Sequence, residues 1–78
     1  MPDLKDTEFV FEIQEHIGVL SRSPNGWNKE LNIVSFNGRA GRYDIRDWSD
    51  GYAKMRKGVS LTKEEVSKLK SLLNDMKI

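Results

Sequence analysis

The sequence predicts an α+β domain: a curved four-stranded antiparallel sheet followed by one C-terminal helix (ββββα). Three observations predict it. Apolar and polar residues alternate with a period of two from Phe9 onward, as half-buried strands do. Two Asn-Gly pairs, at 25–26 and 37–38, accept the positive φ angles that tight connections between antiparallel strands require. From Thr62 the apolar spacing becomes helical, and the chain closes on one amphipathic stripe.

Residues 1–7 are polar and expected to fray. The first strand starts at Phe9, with Phe9, Phe11 and Ile13 toward a core and Val10, Glu12 and Gln14 on the other side. Ile17, Val19 and Leu20 prolong it, and Gly18 supplies a bend or bulge that lets a long strand curve. The "SPNG" stretch, 23–26, is a turn, since Pro24 fixes its own φ. The second strand spans about 27–36, with Leu31 and Ile33 facing one way and Asn32 and Val34 the other. The third spans about 41–48. "DGYAKMRKG" then forms an exposed loop, and 58–61 a short fourth strand. A helix follows over about 62–77. Thr62 and Glu65 make a capping box and Leu61 with Val66 a hydrophobic staple. Val66, Leu69, Leu72, Leu73 and Met76 form the stripe, which packs on the sheet.

Seventy-eight residues make one domain, 1–78, and a small one. A chain this short buries only about 60–65% of its unfolded surface and usually needs a disulfide, a metal or a second subunit. There is no Cys, so disulfides and thiolate zinc sites are excluded, and a single His builds no ligand cluster. The remaining support is a second copy, so a homodimer is expected, with no metal or cofactor. No apolar run approaches the ~18 residues of a membrane span, and the N-terminus has no apolar leader. The expectation is therefore a cytoplasmic protein without a membrane partner.

The net charge of +1, with 32% charged residues, carries no signal by itself. Its distribution does. Residues 39–57 hold six bases (Arg39, Arg42, Arg46, Lys54, Arg56 and Lys57) against Asp44, Asp47 and Asp50. Alternation along "RYDIRDW" puts Tyr43, Ile45 and Asp47 on one side, with Ile45 in the core, and Arg42, Asp44, Arg46 and Trp48 on the other. A sheet covered by a helix on one face leaves the other solvated. Guanidinium groups on that open face can grip phosphates, and an adjacent indole offers a surface to an unpaired base. These are the ingredients of a single-strand binder.

Catalysis has no constellation to carry it. Ser35, Ser60 and Thr62 lack a His–acid set, His16 stands alone on a strand surface, and Asp44 and Asp47 face opposite sides. No enzyme and no small-molecule substrate is expected. Tyr52 either stacks on a base or covers the loop.

"YDIRDW", a polar loop, and "RKGVSLTKEEVSKLKSLL" together resemble the C-terminal domain of positive cofactor four, a transcriptional coactivator family that binds single-stranded DNA. That family has an isoleucine-aspartate-isoleucine-arginine strand ending in aromatics, a basic loop closing on lysine-glycine-isoleucine-serine-leucine, and an amphipathic helix. The match runs over about 36–73, and "GWNKELNIVSFN" is similar to the compact bacterial members. The resemblance implies a curved sheet, dimerised through helices and sheet edges, with grooves for single strands. It implies nucleic-acid contacts for Arg46, Trp48, Arg56 and Lys57, for Phe36 and Arg39 flanking the second hairpin turn, and for Trp27 and Lys29 from the compact branch. Arg42 and Lys54 join them from the charge pattern. The eukaryotic members carry a long serine-rich regulatory segment; here few residues precede Phe9, so that segment's partner contacts do not transfer. The expected function is non-enzymatic, largely sequence-independent binding of single-stranded DNA in transcription, replication or repair. RNA on the same face, or an acidic protein docked there, are the alternatives.

Overall fold

The computed structural model describes residues 10–78. The expected fraying of 1–7 and the core position of Phe9 lie outside the described residues. Four strands, β1 (Phe11–Arg22), β2 (Asn28–Phe36), β3 (Arg42–Trp48) and β4 (Val59–Leu61), form one antiparallel sheet in the order β1-β2-β3-β4. One helix, α1 (Lys63–Asp75), follows, so the sheet and helix are as the alternation and the stripe predicted. The loop after β3 adds an unforeseen feature, a single 3-10 turn at Asp50–Tyr52.

Local chemistry sets the connections. Asn37 and Gly38 take φ of 53° and 76°, the left-handed region that favours these two residues. Asn37 also holds the start of β1: its Oδ1 accepts from the Val10 N–H at 2.9 Å and its own N–H donates to the Val10 carbonyl at 2.7 Å. At the helix start, Thr62 Oγ1 accepts from the Glu65 N–H at 3.1 Å, and Glu65 Oε1 accepts from the Thr62 N–H at 2.8 Å. The capping box is complete.

The sheet curls strongly away from the helix. Phe11 lies opposite Phe36 at one end of β2, and Trp48 lies opposite Asn28 at the other. A flat strand would hold those ends about 26 Å apart. Yet the Phe11 and Trp48 rings have centroids 5.0 Å apart. Three register shifts in β1, at Ile13/Glu15, His16/Gly18 and Val19/Ser21, supply the extra twist that such bending needs. Gly18 sits at the second, where a bend was expected.

Curling inverts the expected burial. Glu30, Asn32, Val34, Asp44 and Trp48 are all buried, and strand alternation puts all five on the concave side, away from α1. That side was expected to be solvated. It is instead closed by its own curvature. The helix meets the convex side, near β3 and β4, and a convex surface cannot enclose it. No residue of α1 is buried, and Leu72 and Met76 remain 52% and 55% exposed. An apolar hollow of about 230 Å³ remains between Leu31 of the sheet and Val66, Leu69 and Leu73 of the helix. The stripe therefore packs on the sheet only in part. Ile45, expected in the core, is half-buried on this side.

Candidate nucleic-acid interface

β2, β3 and the turn joining them bring Phe36, Arg39 and Arg42 around one hollow on the concave side. It measures about 150 Å³ and is completed by Val34, Ala40 and Ser60. Arg39 and Arg42 are exposed, and among the described residues neither makes an ion pair. Two uncommitted guanidiniums beside an aromatic ring can bind phosphate and stack a base in one place.

Arg46 is placed on this side as predicted, but its guanidinium is already engaged. Nε donates to Asp44 Oδ1 at 2.6 Å and Nη2 donates to Asp44 Oδ2 at 2.7 Å, a bidentate pair. Ser60 donates a third hydrogen bond to Asp44, at 3.0 Å. Nη1 reaches the Met55 sulfur at 3.2 Å, and the guanidinium carbon lies 4.7 Å from the centre of the Phe36 ring. Only 13% of the Arg46 side chain is exposed. Arg46 thus fixes Phe36 and the strand beneath it instead of reaching for phosphate. Gly58 permits this arrangement: a Cβ there would stand 2.3 Å from the Arg46 Cβ and 2.4 Å from the Ile45 carbonyl oxygen.

Trp48 requires a correction. It lies on the predicted side, opposite the helix, but it is 1% exposed and offers no ring face to a ligand. Phe11 packs on it at 5.0 Å and Tyr52 meets it edge-on at 5.2 Å. The cause is the sheet's curl, which folds β1 over the indole, together with the 3-10 turn, which lays Tyr52 across it. Phe11 is accordingly a packing residue, as expected.

Tyr52 covers the loop side of the indole, deciding between its two anticipated roles in this conformation. Its hydroxyl donates to Glu30 Oε1 at 2.8 Å, and its φ is 59°. An aromatic residue in the left-handed region carries roughly 1–2 kcal/mol of backbone strain, so this contact and the packing must hold it there. Burial, then the hydrogen bond to Glu30, then the Glu30 charge push the Tyr52 hydroxyl pKa above its ordinary 10.0. Glu30 also accepts from Asn32 Nδ2 at 3.1 Å, and His16 Nδ1 lies 2.7 Å from Asn32 Oδ1 and 3.4 Å from Glu30. Sequence reasoning missed this network. The one signal for it was that Glu30 and Asn32 alternate onto the same side as Val34.

A second group gathers around Asp47. Lys29 Nζ lies 3.9 Å from Asp47 Oδ1, and Arg56 Nη1 lies 3.7 Å from Oδ2. Arg56 stacks on Trp27, its guanidinium carbon 4.0 Å from the ring centre. Trp27, Lys29 and Arg56 are therefore brought together, whereas strand alternation sets Lys29 and Asp47 on the opposite side from Arg46. Lys54 and Lys57 stand exposed on the same loop as Arg56, and among the described residues neither side chain makes an ion pair. Asp44 and Asp47 do face opposite sides, each serving its own arginine.

The family model for transcriptional coactivator p15 (PC4) matches residues 23–72. An uncharacterized protein of Treponema pallidum (strain Nichols) is 48% identical over 71 residues, covering 91% of this chain and 84% of that protein. The matched region holds β2, β3, β4, most of α1 and all ten candidate contacts from Trp27 to Lys57. On that sequence match and the ββββα arrangement, the chain belongs to the transcriptional coactivator p15 (PC4) family.

Proposed function

We propose that this protein binds single-stranded DNA, largely without sequence preference and without catalysis, as a homodimer. The observation that carries the reading is the hollow bounded by Phe36, Arg39 and Arg42, a ring flanked by two uncommitted guanidiniums on the helix-free side of a PC4-family sheet. Charge on such a surface follows the backbone, and a ring stacks any base, so neither contact reads a base edge. Lys54, Arg56, Lys57, Lys29 and Trp27 extend the basic, aromatic surface around the loop edge.

Fluorescence anisotropy with oligo-dT tests it. Log affinity should fall linearly with log salt, by about 0.7 per phosphate neutralised. Arg39→Ala and Arg42→Ala should each lower that slope by about 0.7 and leave the fold intact, because both side chains are exposed. Equal or tighter binding of duplex, with no preference for the single strand, would overturn the reading. Competition between oligo-dT and oligo-rU separates DNA from RNA.

Dimerisation is supported by what the single chain leaves open. Its radius of gyration is 14.3 Å, where a compact chain of this size has about 11 Å. The stripe of α1 and the hollow beside it need a cover, and a second α1 is apolar in the matching pattern. Light scattering at micromolar concentration should give twice the chain mass, and Leu72→Glu with Met76→Glu should halve it. A monomeric wild type would remove the dimer.

A further inference from the structure

The buried Trp48 has a feature that packing alone does not explain. Its indole N–H is enclosed and has no hydrogen-bond partner among the described residues, although buried indoles normally find one. Two rings pack on this indole, Phe11 from β1 at 5.0 Å and Tyr52 from the loop at 5.2 Å. Tyr52 sits on a short turn with Gly51 at φ 69° and itself at φ 59°, both left-handed. A single hydrogen bond, from its hydroxyl to Glu30, joins its side chain to the sheet.

The turn is also closed at its base independently of Tyr52. The Ser49 N–H donates to the Lys54 carbonyl at 2.9 Å, the Lys54 N–H donates to Ser49 Oγ at 2.8 Å, and the Arg56 N–H donates to the Asp47 carbonyl at 3.1 Å. Within the turn, the Tyr52 N–H donates to the Ser49 carbonyl at 3.0 Å and the Ala53 N–H to the Asp50 carbonyl at 3.5 Å, so a movement of residues 50–53 breaks these two bonds while the flanking loop keeps its place on β3. Glu30 would not be orphaned by that movement, since Asn32 still donates to it and His16 remains beside it. Relief of the left-handed φ at Tyr52 favours opening; the hydrogen bond and the edge-on ring contact favour closure.

We propose that Tyr52 gates a base-stacking subsite on Trp48: an unpaired nucleobase displaces the tyrosine ring, takes its place against the indole, and supplies a carbonyl or ring-nitrogen acceptor to the orphaned Nε1–H. This rests on the single-strand reading above and adds to it a site that is closed in the free protein. The cations Lys54 and Lys57, exposed on the flanks of the same turn, hold the phosphates of the strand that delivers the base.

The test follows the two indole N–H resonances of the ¹⁵N-labelled full chain, assigned with Trp27→Phe, in the free protein and with oligo-dT. In the free wild type the Trp48 N–H should exchange slowly with solvent. Tyr52→Phe keeps the ring and removes the hydrogen bond, so exchange should quicken and oligo-dT should bind about five-fold tighter, the population change worth one net hydrogen bond. Tyr52→Ala, which removes the ring altogether, should expose the N–H fully, and in all three proteins oligo-dT should shift the Trp48 resonance. If oligo-dT binds while that resonance stays still and neither variant binds tighter, Tyr52 is a structural cover and the gate is refuted, with the single-strand reading intact. Absence of oligo-dT binding in all three proteins would overturn both.

Discussion

Asp44→Ala is expected to cost about 3–5 kcal/mol of folding stability, the effect of removing one partner from a buried ion pair. Asp44 is 0% exposed and accepts from Arg46 twice and from Ser60 once. Its loss leaves a guanidinium, itself 13% exposed, enclosed between Phe36 and the loop without a counter-charge. A domain of this length has only about 4–12 kcal/mol in total, so the variant should sit near its unfolding threshold at room temperature. Urea denaturation of wild type and variant at equal protein concentration checks this. Arg46→Lys should fall between them, because an ammonium cannot reproduce the two-pronged contact. A loss below about 1 kcal/mol would mean that water screens the pair as it does surface pairs, and Arg46 would then be free for phosphate after all.

The pairing was half visible in the sequence. An aspartate two residues before an arginine on a strand shares its side, so the contact between Asp44 and Arg46 could be read from "DIR" alone. What alternation could not supply was depth. A period of two assigns sides without saying which side the sheet curls toward. Curl here comes from three irregularities in β1, a strand distant in sequence from β3. The capping box at Thr62 was fully legible for the opposite reason: its donors and acceptors lie within four residues, so no tertiary fact enters. The grouping of Phe36, Arg39 and Arg42 was accessible too, because a hairpin turn and its flanking strands keep near neighbours near. Tyr52 over Trp48 was not, since it depends on how a short turn with two left-handed residues folds back across the strand.

Trp48→Ala is the second large effect, again about 3–5 kcal/mol. Only Val34 and Trp48 are fully buried apolar side chains among the described residues, so the indole is a large share of the single chain's apolar core. Truncation would remove the surface on which Phe11 and Tyr52 both pack, and β1 would lose its contact across the concave side. Loss of binding by this variant would therefore say nothing about base contact until its fold is checked by circular dichroism and urea titration. Trp48→Phe is the informative partner. It keeps a ring against Phe11 and Tyr52, and it deletes an N–H that has no acceptor among the described residues, so the lost volume is partly offset by removal of that donor. Its stability cost should stay below about 1.5 kcal/mol, as for aromatic and aliphatic exchanges that keep most of the volume. With folding preserved, any weakening of oligo-dT binding by Trp48→Phe measures what the indole gives a ligand beyond a ring. An unchanged affinity would mean that the indole N–H and second ring give a ligand nothing that a phenyl ring at this position does not.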